Sequence, residues 1–263
     1  MTVGELLAVL DGLAPTRLAE EWDNVGLMVG RRDRPVTRVL VALDLRGHVL
    51  DEARDTGADL VLVHHPPIFP ALSAVSDQRI AGALVLRAAE ERIAVVAAHT
   101  NLDSAAGGLN DLMADALGMR DRMPLVPDAD DPDVGLGRVG TIDPMPLEEL
   151  SARSVGVFCT RRANLGVAGD PGQMVSRLAV CTGSGGSLIG AVRESGADAY
   201  VTGDLKYHDA DVAEGVGLVN IAHGAVEQQA MRMWTPALAD ALTPLGVEVA
   251  FARGDTDPWR DAC

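Results

Sequence analysis

Short apolar blocks broken by glycine, proline or charge run the length of this chain, and their spacing alternates between strand-like and helix-like. Positions 2–13 (TVGELLAVLDGL) have helical spacing and stop before Pro15, and EEWDNVGLMVG over 20–30 reads as a loop leading into a short strand. RVLVALDL over 38–45 predicts a strand with Asp44 at its end, a helix follows over 46–56, and 79–91 has the spacing of an amphipathic helix. IAVVAAHTNLD (93–103) predicts a third strand that ends in histidine and then aspartate. Residues 104–108 form a small-residue turn before a helix over 109–119.

Between these elements lies the block on which the chain turns, ADLVLVHHPPIF at 58–69. An unbroken Leu/Val run fits a strand buried on both faces, as in a parallel sheet. Pro66 and Pro67 cannot donate to a ladder, so the strand stops just after His64 and His65. The carboxyl ends of strands are where open α/β sheets hold ligands. Adjacent residues on a strand point to opposite faces, so both imidazoles reach one site only because the strand ends there.

Residues 120–147 change character, with five prolines and the acidic run DADDPD at 128–133, and mark the candidate boundary between a first unit over 1–125 and a second over 126–263. Strands then follow at about 163–168 and 177–182, and GSGGS (183–187) opens a helix through Glu194. A strand and polar turn occupy 196–210, a strand running into a helix occupies 217–231, and VEVAFA (247–252) closes the chain. Alternating strands and helices of this kind make an α/β protein.

The halves resemble each other. RVLVA at 38–42 and RLAVC at 177–181 are offset by 139 residues, as are the Gly-Ala-Asp triplets at 57–59 and 196–198. AHTNLD and AHGAVE place His99 and His223 four residues before Asp103 and Glu227, at an offset of 124. The expectation is two similar, interlinked α/β units facing each other around a di-metal cleft, each bringing its third-strand end to it.

Composition narrows the function. At 263 residues, 48% hydrophobic and 3% aromatic, the chain has ample material for a core. No apolar run approaches the roughly 20 residues of a membrane helix, and the start of the chain lacks a signal peptide's basic cluster. The three cysteines, Cys159, Cys181 and Cys263, are odd in number and dispersed, which excludes a disulfide framework and fits the cytoplasm. A formal net charge of -16 disfavours nucleic acid as a partner. Only one of the 22 basic residues is a lysine, Lys206.

The chemistry-bearing residues collect at strand ends: His64, His65, His99, Asp103, Asp204, His208, His223 and Glu227. Imidazole with carboxylate and no thiolate suits divalent zinc, iron, manganese or nickel in an open site, not a closed structural zinc. Such a set can hold two ions about 3.5–4 Å apart, sharing a carboxylate and a metal-bridging water. Lys206 and Asp204 are candidates for substrate contact, and His99 and His208 for proton transfer. GSGGS lacks the lysine of a phosphate-binding loop and reads as a tight turn.

WDNVGLMVG (22–30), DLVLVHHPPIF (59–69), AHTNLDSAAGGLND (98–111), VTGDLKYHDA (201–210) and AHGAVEQQA (222–230) together resemble the Nif-three-like dinuclear metal-centre hexameric proteins, also known as GTP cyclohydrolase I type 2 homologues. The resemblance implies two divalent transition-metal ions per chain, held by His64, His65, Asp103, His223 and Glu227, and a homohexameric ring. It implies a metal-dependent hydrolase with a small-molecule or nucleotide substrate, GTP by the family's label. The alternative of another class is a non-catalytic metal-binding scaffold or a regulatory ring that binds protein. Around His223 the chain departs from the family's usual Gly-His-aromatic start, with Ala222 before the histidine, Gly224 after it and Val226 before Glu227.

Overall fold

The computed structural model describes residues 1–158 and 165–258. It is a mixed α/β protein with two mixed sheets. Packing divides it into two units, Met1–Ala105 with Met231–Thr256, and Ala106–Ala230 with the residues from Asp257 onward.

In the first unit, α1 (Val3–Leu13) starts at a capping box in which Thr2 and Glu5 satisfy each other's amides. The sheet has the order β1 (Gly26–Val29), β4 (Ala94–Ala97), β3 (Leu60–Val63), β2 (Arg38–Ala42) and β11 (Glu248–Phe251). Only β1 runs antiparallel to its neighbour. Every residue of β3 and β4 is buried, as an apolar run without alternation requires. Helices α2 (Gly47–Thr56) and α3 (Ile80–Glu90) return the chain between parallel strands, and Val49, Leu50, Ala53, Val85 and Ala88 pack against Val61, Val63 and Val95.

The second unit carries a sheet of order β5 (Arg120–Pro127), β6 (Gly135–Pro146), β8 (Met174–Ser184), β9 (Ala199–Gly203), β10 (Gly217–Ile221) and β7 (Gly166–Ala168). The proline-rich stretch 120–147 is therefore not a boundary between units. It forms the hairpin β5–β6 of this sheet, and the acidic run 128–133 is its turn, closed by the Asp128 amide on the Val134 carbonyl. The units separate at Ala105/Ala106, not near residue 125, and β11 pairs with β2 in the first sheet although it follows every strand of the second sheet in sequence. Part of the strand expected at 163–168, and Cys159 and Cys263, lie outside the described residues. Two helices carried too little periodicity to be read, α4 (Thr100–Ser104) and α6 (Leu147–Val157).

The internal repeat extends to atoms. The pairings Val39–Leu60, Leu40–Val61 and Val41–Leu62 recur at the same offset of 139 as Leu178–Ala199, Ala179–Tyr200 and Val180–Val201. Asp59 Oδ2 accepts from the Thr37 amide and hydroxyl and the Arg38 amide, and Asp198 Oδ2 accepts from the Ser176 amide and hydroxyl and the Arg177 amide. Each arginine then donates to the carbonyl ending the following helix, Thr56 or Ser195. The third parallel strand flanks the second in both sheets, with an antiparallel strand beyond it.

Several helices end through a residue in the left-handed region, a conformation that favours glycine. Gly57, Gly118, Gly196 and Gly246 fill that place, but after α3 it is taken by Arg92 at φ 60°. Among the described residues only Asp121 and Asp204 share this property with Arg92.

Asp198→Ala removes three hydrogen bonds to one carboxylate oxygen and should lower stability by about 2 kcal/mol. Urea unfolding measures this, and a change below about 0.5 kcal/mol would show that the repeated anchor is not structural.

Candidate metal centre

Strand β3 ends at Val63, and the chain turns through His64 and His65 before the two prolines. Their amides donate to the Leu43 carbonyl, so the end of β2 holds the histidine pair in place. The rings lie 5.2 Å apart at 41°, and His99, at the end of β4, lies 5.0 Å from His64 and 5.6 Å from His65. One ring nitrogen from each of the three comes within 4.8 Å of the others. Two residues expected on opposite faces of a strand thus converge because the strand ends between them.

The orientation of each ring is fixed at Nδ1. His64 Nδ1 lies 2.8 Å from the Ala98 carbonyl, His65 Nδ1 3.0 Å from Asp44 Oδ1, and His99 Nδ1 2.8 Å from Asp23 Oδ1. A carbonyl or ionised carboxylate only accepts, so Nδ1 carries the proton and Nε2 presents its lone pair. That is how metal-ligating histidines are oriented. His64 is fully buried, and its Nε2 stands 3.7 Å from Oδ1 of the buried Asp103 on α4.

Asp23 and Asp44 are kept ionised. Burial works against charge on Asp23, but hydrogen bonds from His99 and Thr100 outweigh it and hold its carboxyl well below the usual range. Burial opposes charge on Asp44 as well, and the His65 and Thr256 bonds again prevail. The loop carrying Asp23 is further tied by Asn24, whose amide donates to the Ile68 carbonyl at 2.8 Å. Trp22 sets its ring edge-on to His99 and to Phe69, with ring centroids 6.1 and 5.9 Å away.

In the second unit, β10 runs directly into α9 (His223–Leu242), which places His223 and Glu227 one turn apart. His223 Nδ1 lies 2.7 Å from Asp204 Oδ2, and Nε2 faces Glu227 Oε2 at 2.8 Å. Burial disfavours the charged ring, but the Glu227 and Asp204 carboxylates overcome this and raise its pKa to about 9. Two glycines make room for the pair. A Cβ at Gly183 would sit 2.5 Å from Glu227 Oε1, and one at Gly203 would sit 3.1 Å from the His223 Cβ. Gly185 is excluded from bearing a side chain by the Tyr200 hydroxyl, so GSGGS is a packed turn. Val226 is a core residue, which accounts for the apolar side chain before Glu227.

A family model described as Duf34/NIF3 (NGG1p interacting factor 3) matches residues 1–258. The chain belongs to the Duf34/NIF3 family. Among its relatives is a GTP cyclohydrolase 1 type 2 homolog of Streptomyces coelicolor, 37% identical over 98% of this chain and 93% of the relative. Another of the same description, from Lactococcus lactis, is 36% identical over 99% of this chain and 100% of the relative. A crystal structure of a hypothetical protein from Staphylococcus aureus matches with a TM-score of 0.92 at 26% identity, covering 100% of this chain and 99% of that one.

Within this Duf34/NIF3 chain, the sequence-derived candidates divide. His64, His65, His99 and Asp103 converge in the first unit, and His223, Glu227 and Asp204 converge in the second. Asp204, expected to touch substrate, instead orients His223, and it adopts φ 55° to do so. His208 stands away from these groups on an exposed turn, 3.4 Å from Asp211, and the neighbouring Lys206 is exposed too. Asp44 was legible only as a strand-end acid, and Asp23 as an acid in a loop that could reach the site with Asn24. The signal that could have marked them is that each buried imidazole needs an acceptor for its Nδ1 proton.

The donor set suits a borderline transition metal: imidazole Nε2 atoms with carboxylate oxygens and no thiolate. Below about pH 9 the Nε2 proton of His223 occupies the lone pair that a metal needs. Metal uptake should therefore release protons, and apparent affinity should rise between pH 6.5 and about 9. In metal-free protein the same raised pKa adds stability below pH 6.5 that is lost as pH rises through about 9. Metal titrations across that range test the first statement, and a flat affinity would contradict it. Asp204→Ala should weaken metal retention by about 10- to 100-fold while leaving the ligand atoms in place, as read by competition with a chromophoric chelator.

Proposed function

We propose that this chain binds divalent transition metal through His64, His65 and Asp103 in the first unit and His223 and Glu227 in the second, and is a metal-dependent hydrolase. The observation that carries the reading is the common orientation of the imidazoles: Nδ1 tied to an acceptor, Nε2 directed at further donors. Such ions, when bound, acidify coordinated water and polarise substrate oxygen or nitrogen.

The chain's own residues supply the rest. Asp44, Asp204 and the Ala98 carbonyl hold the imidazoles at fixed angles, so no ligand has to be ordered when a metal enters. His99 stands among the ligand rings with Nδ1 on Asp23, and its Nε2 can pass a proton to or from a bound molecule. Nucleotides are the substrate class favoured by the relatives described as GTP cyclohydrolase 1 type 2 homologs. Lys206 is the candidate contact for an anionic group, since an exposed ammonium is free to swing.

Protein purified without chelator should hold about two ions per chain, and His64→Ala or Asp103→Ala should each lose at least one. Elemental analysis finding metal-free wild type, or unchanged content in both variants, rejects the site. GTP incubated with manganese, zinc or iron should lose its intact purine by absorbance and mass spectrometry. Glu227→Gln should slow this even where metal is retained, because an amide donates less charge, and Lys206→Ala should raise KM without changing metal content. No metal-dependent turnover of GTP, other nucleotides or phosphoesters would leave the non-catalytic scaffold as the reading. Light scattering coupled to size exclusion should give a closed oligomer, a hexamer by family resemblance, and a 27.5 kDa monomer would refute it.

A further inference from the structure

A cavity of about 290 Å³ lies at the end of the first sheet opposite the histidines. Asp59, just before β3, and Ala94, the first residue of β4, line it, whereas the histidines follow the carboxyl ends of the same strands. A four-residue strand separates the two ends by about 13 Å. Ala88 and Ile93 give this cavity an apolar floor, and Arg31, Arg34 and Arg92 stand around it.

Three arginines about one cavity are notable in a chain of net charge -16. The nearby acids offset them only in part. Asp59 Oδ2 is engaged by the Thr37 amide and hydroxyl and the Arg38 amide, and exposed Asp33 lies 3.3 Å from Arg31 Nε. The backbone adds an independent observation. Arg92 occupies the left-handed helix-ending position that Gly57, Gly118, Gly196 and Gly246 fill elsewhere. A glycine there would be free of strain, whereas Arg92 brings a side chain to the cavity from a backbone conformation that disfavours one.

We propose that this cavity binds a phosphomonoester, with the phosphate among Arg31, Arg34 and Arg92 and a compact apolar body on Ala88 and Ile93. Guanidinium groups meet phosphate oxygens through paired hydrogen bonds, and a volume near 300 Å³ is at the lower end of small-molecule sites. This site is separate from the histidine centre and does not depend on the hydrolase reading.

Isothermal titration of the full chain with phenyl phosphate, at low ionic strength and with chelator present, tests it. The chelator removes phosphate bound to metal from the signal. One phenyl phosphate should bind per chain, more tightly than inorganic phosphate, which should displace it. Arg92→Gly and Arg34→Gln should each weaken binding by about tenfold or more, and Arg92→Gly should melt no lower than wild type. Absence of saturable binding, unchanged binding in Arg92→Gly, or phenyl phosphate binding no tighter than inorganic phosphate would each overturn the proposal.

Discussion

The candidate metal centre depends on one interaction made repeatedly: the hydrogen bond between an imidazole Nδ1–H and a fixed acceptor. A histidine at the end of a strand has two free torsions and two usable nitrogens, so position alone fixes neither its direction nor its tautomer. The Ala98 carbonyl, Asp44, Asp23 and Asp204 settle both. Each acceptor comes from a different element than the ring it holds, or from beyond a turn. The geometry of the site is therefore a consequence of the sheets being assembled, not of any one motif. The hydrogen bonds also work in reverse, since the imidazoles help to hold the half-buried Asp23 and Asp44 in their ionised form.

The internal repeat explains why the two units contribute differently from the same plan. Positions 44, 64 and 65 correspond, at the offset of 139, to Gly183, Gly203 and Asp204. In the first unit the end of β3 supplies two imidazoles and the end of β2 supplies the acid that orients one of them. In the second unit the β3-equivalent end supplies only an orienting acid, and the two glycines leave space that His223 and Glu227 fill from α9. One scaffold thus supports a histidine pair at a strand end in one copy and a histidine–glutamate pair at a helix start in the other. The repeated Asp59 and Asp198 anchors, by contrast, are unchanged because they fix register, which both sheets need alike.

Much of this was legible in the sequence, for identifiable reasons. Buried parallel strands advertise themselves as unbroken Val/Leu runs, and prolines after His64 and His65 mark the strand end, so the histidine pair could be placed from local chemistry. The β5–β6 hairpin could not. Pro124 lies on an edge strand, Pro127 and Pro146 at strand ends, Pro144 in an irregular stretch of β6 and Pro132 in the turn, all places a ladder tolerates. Composition alone reads them as a boundary between units. Nor could the return of β11 to the first sheet be read, because strand pairing across some two hundred residues leaves no local trace. The orienting roles of Asp23, Asp44 and Asp204 were hidden for the same reason. An acid near a strand end looks alike whether it faces solvent, substrate or a ring 19 to 76 residues away in sequence.

Charge decides what the histidine centre can attract. The first unit's cluster sets Asp103 beside His64, with the ionised Asp23 and Asp44 behind His99 and His65, so carboxylates surround the rings and favour a cation there. On the hydrolase reading, bound divalent ions would reverse that negative charge before an anionic nucleotide approached, so metal loading would precede substrate binding. The arginine cavity at the opposite strand ends needs no such reversal. On the two proposals, the ends of one sheet, a strand's length apart, would take opposite partners: cations where carboxylates brace imidazoles, and a phosphate among the arginines around Arg92.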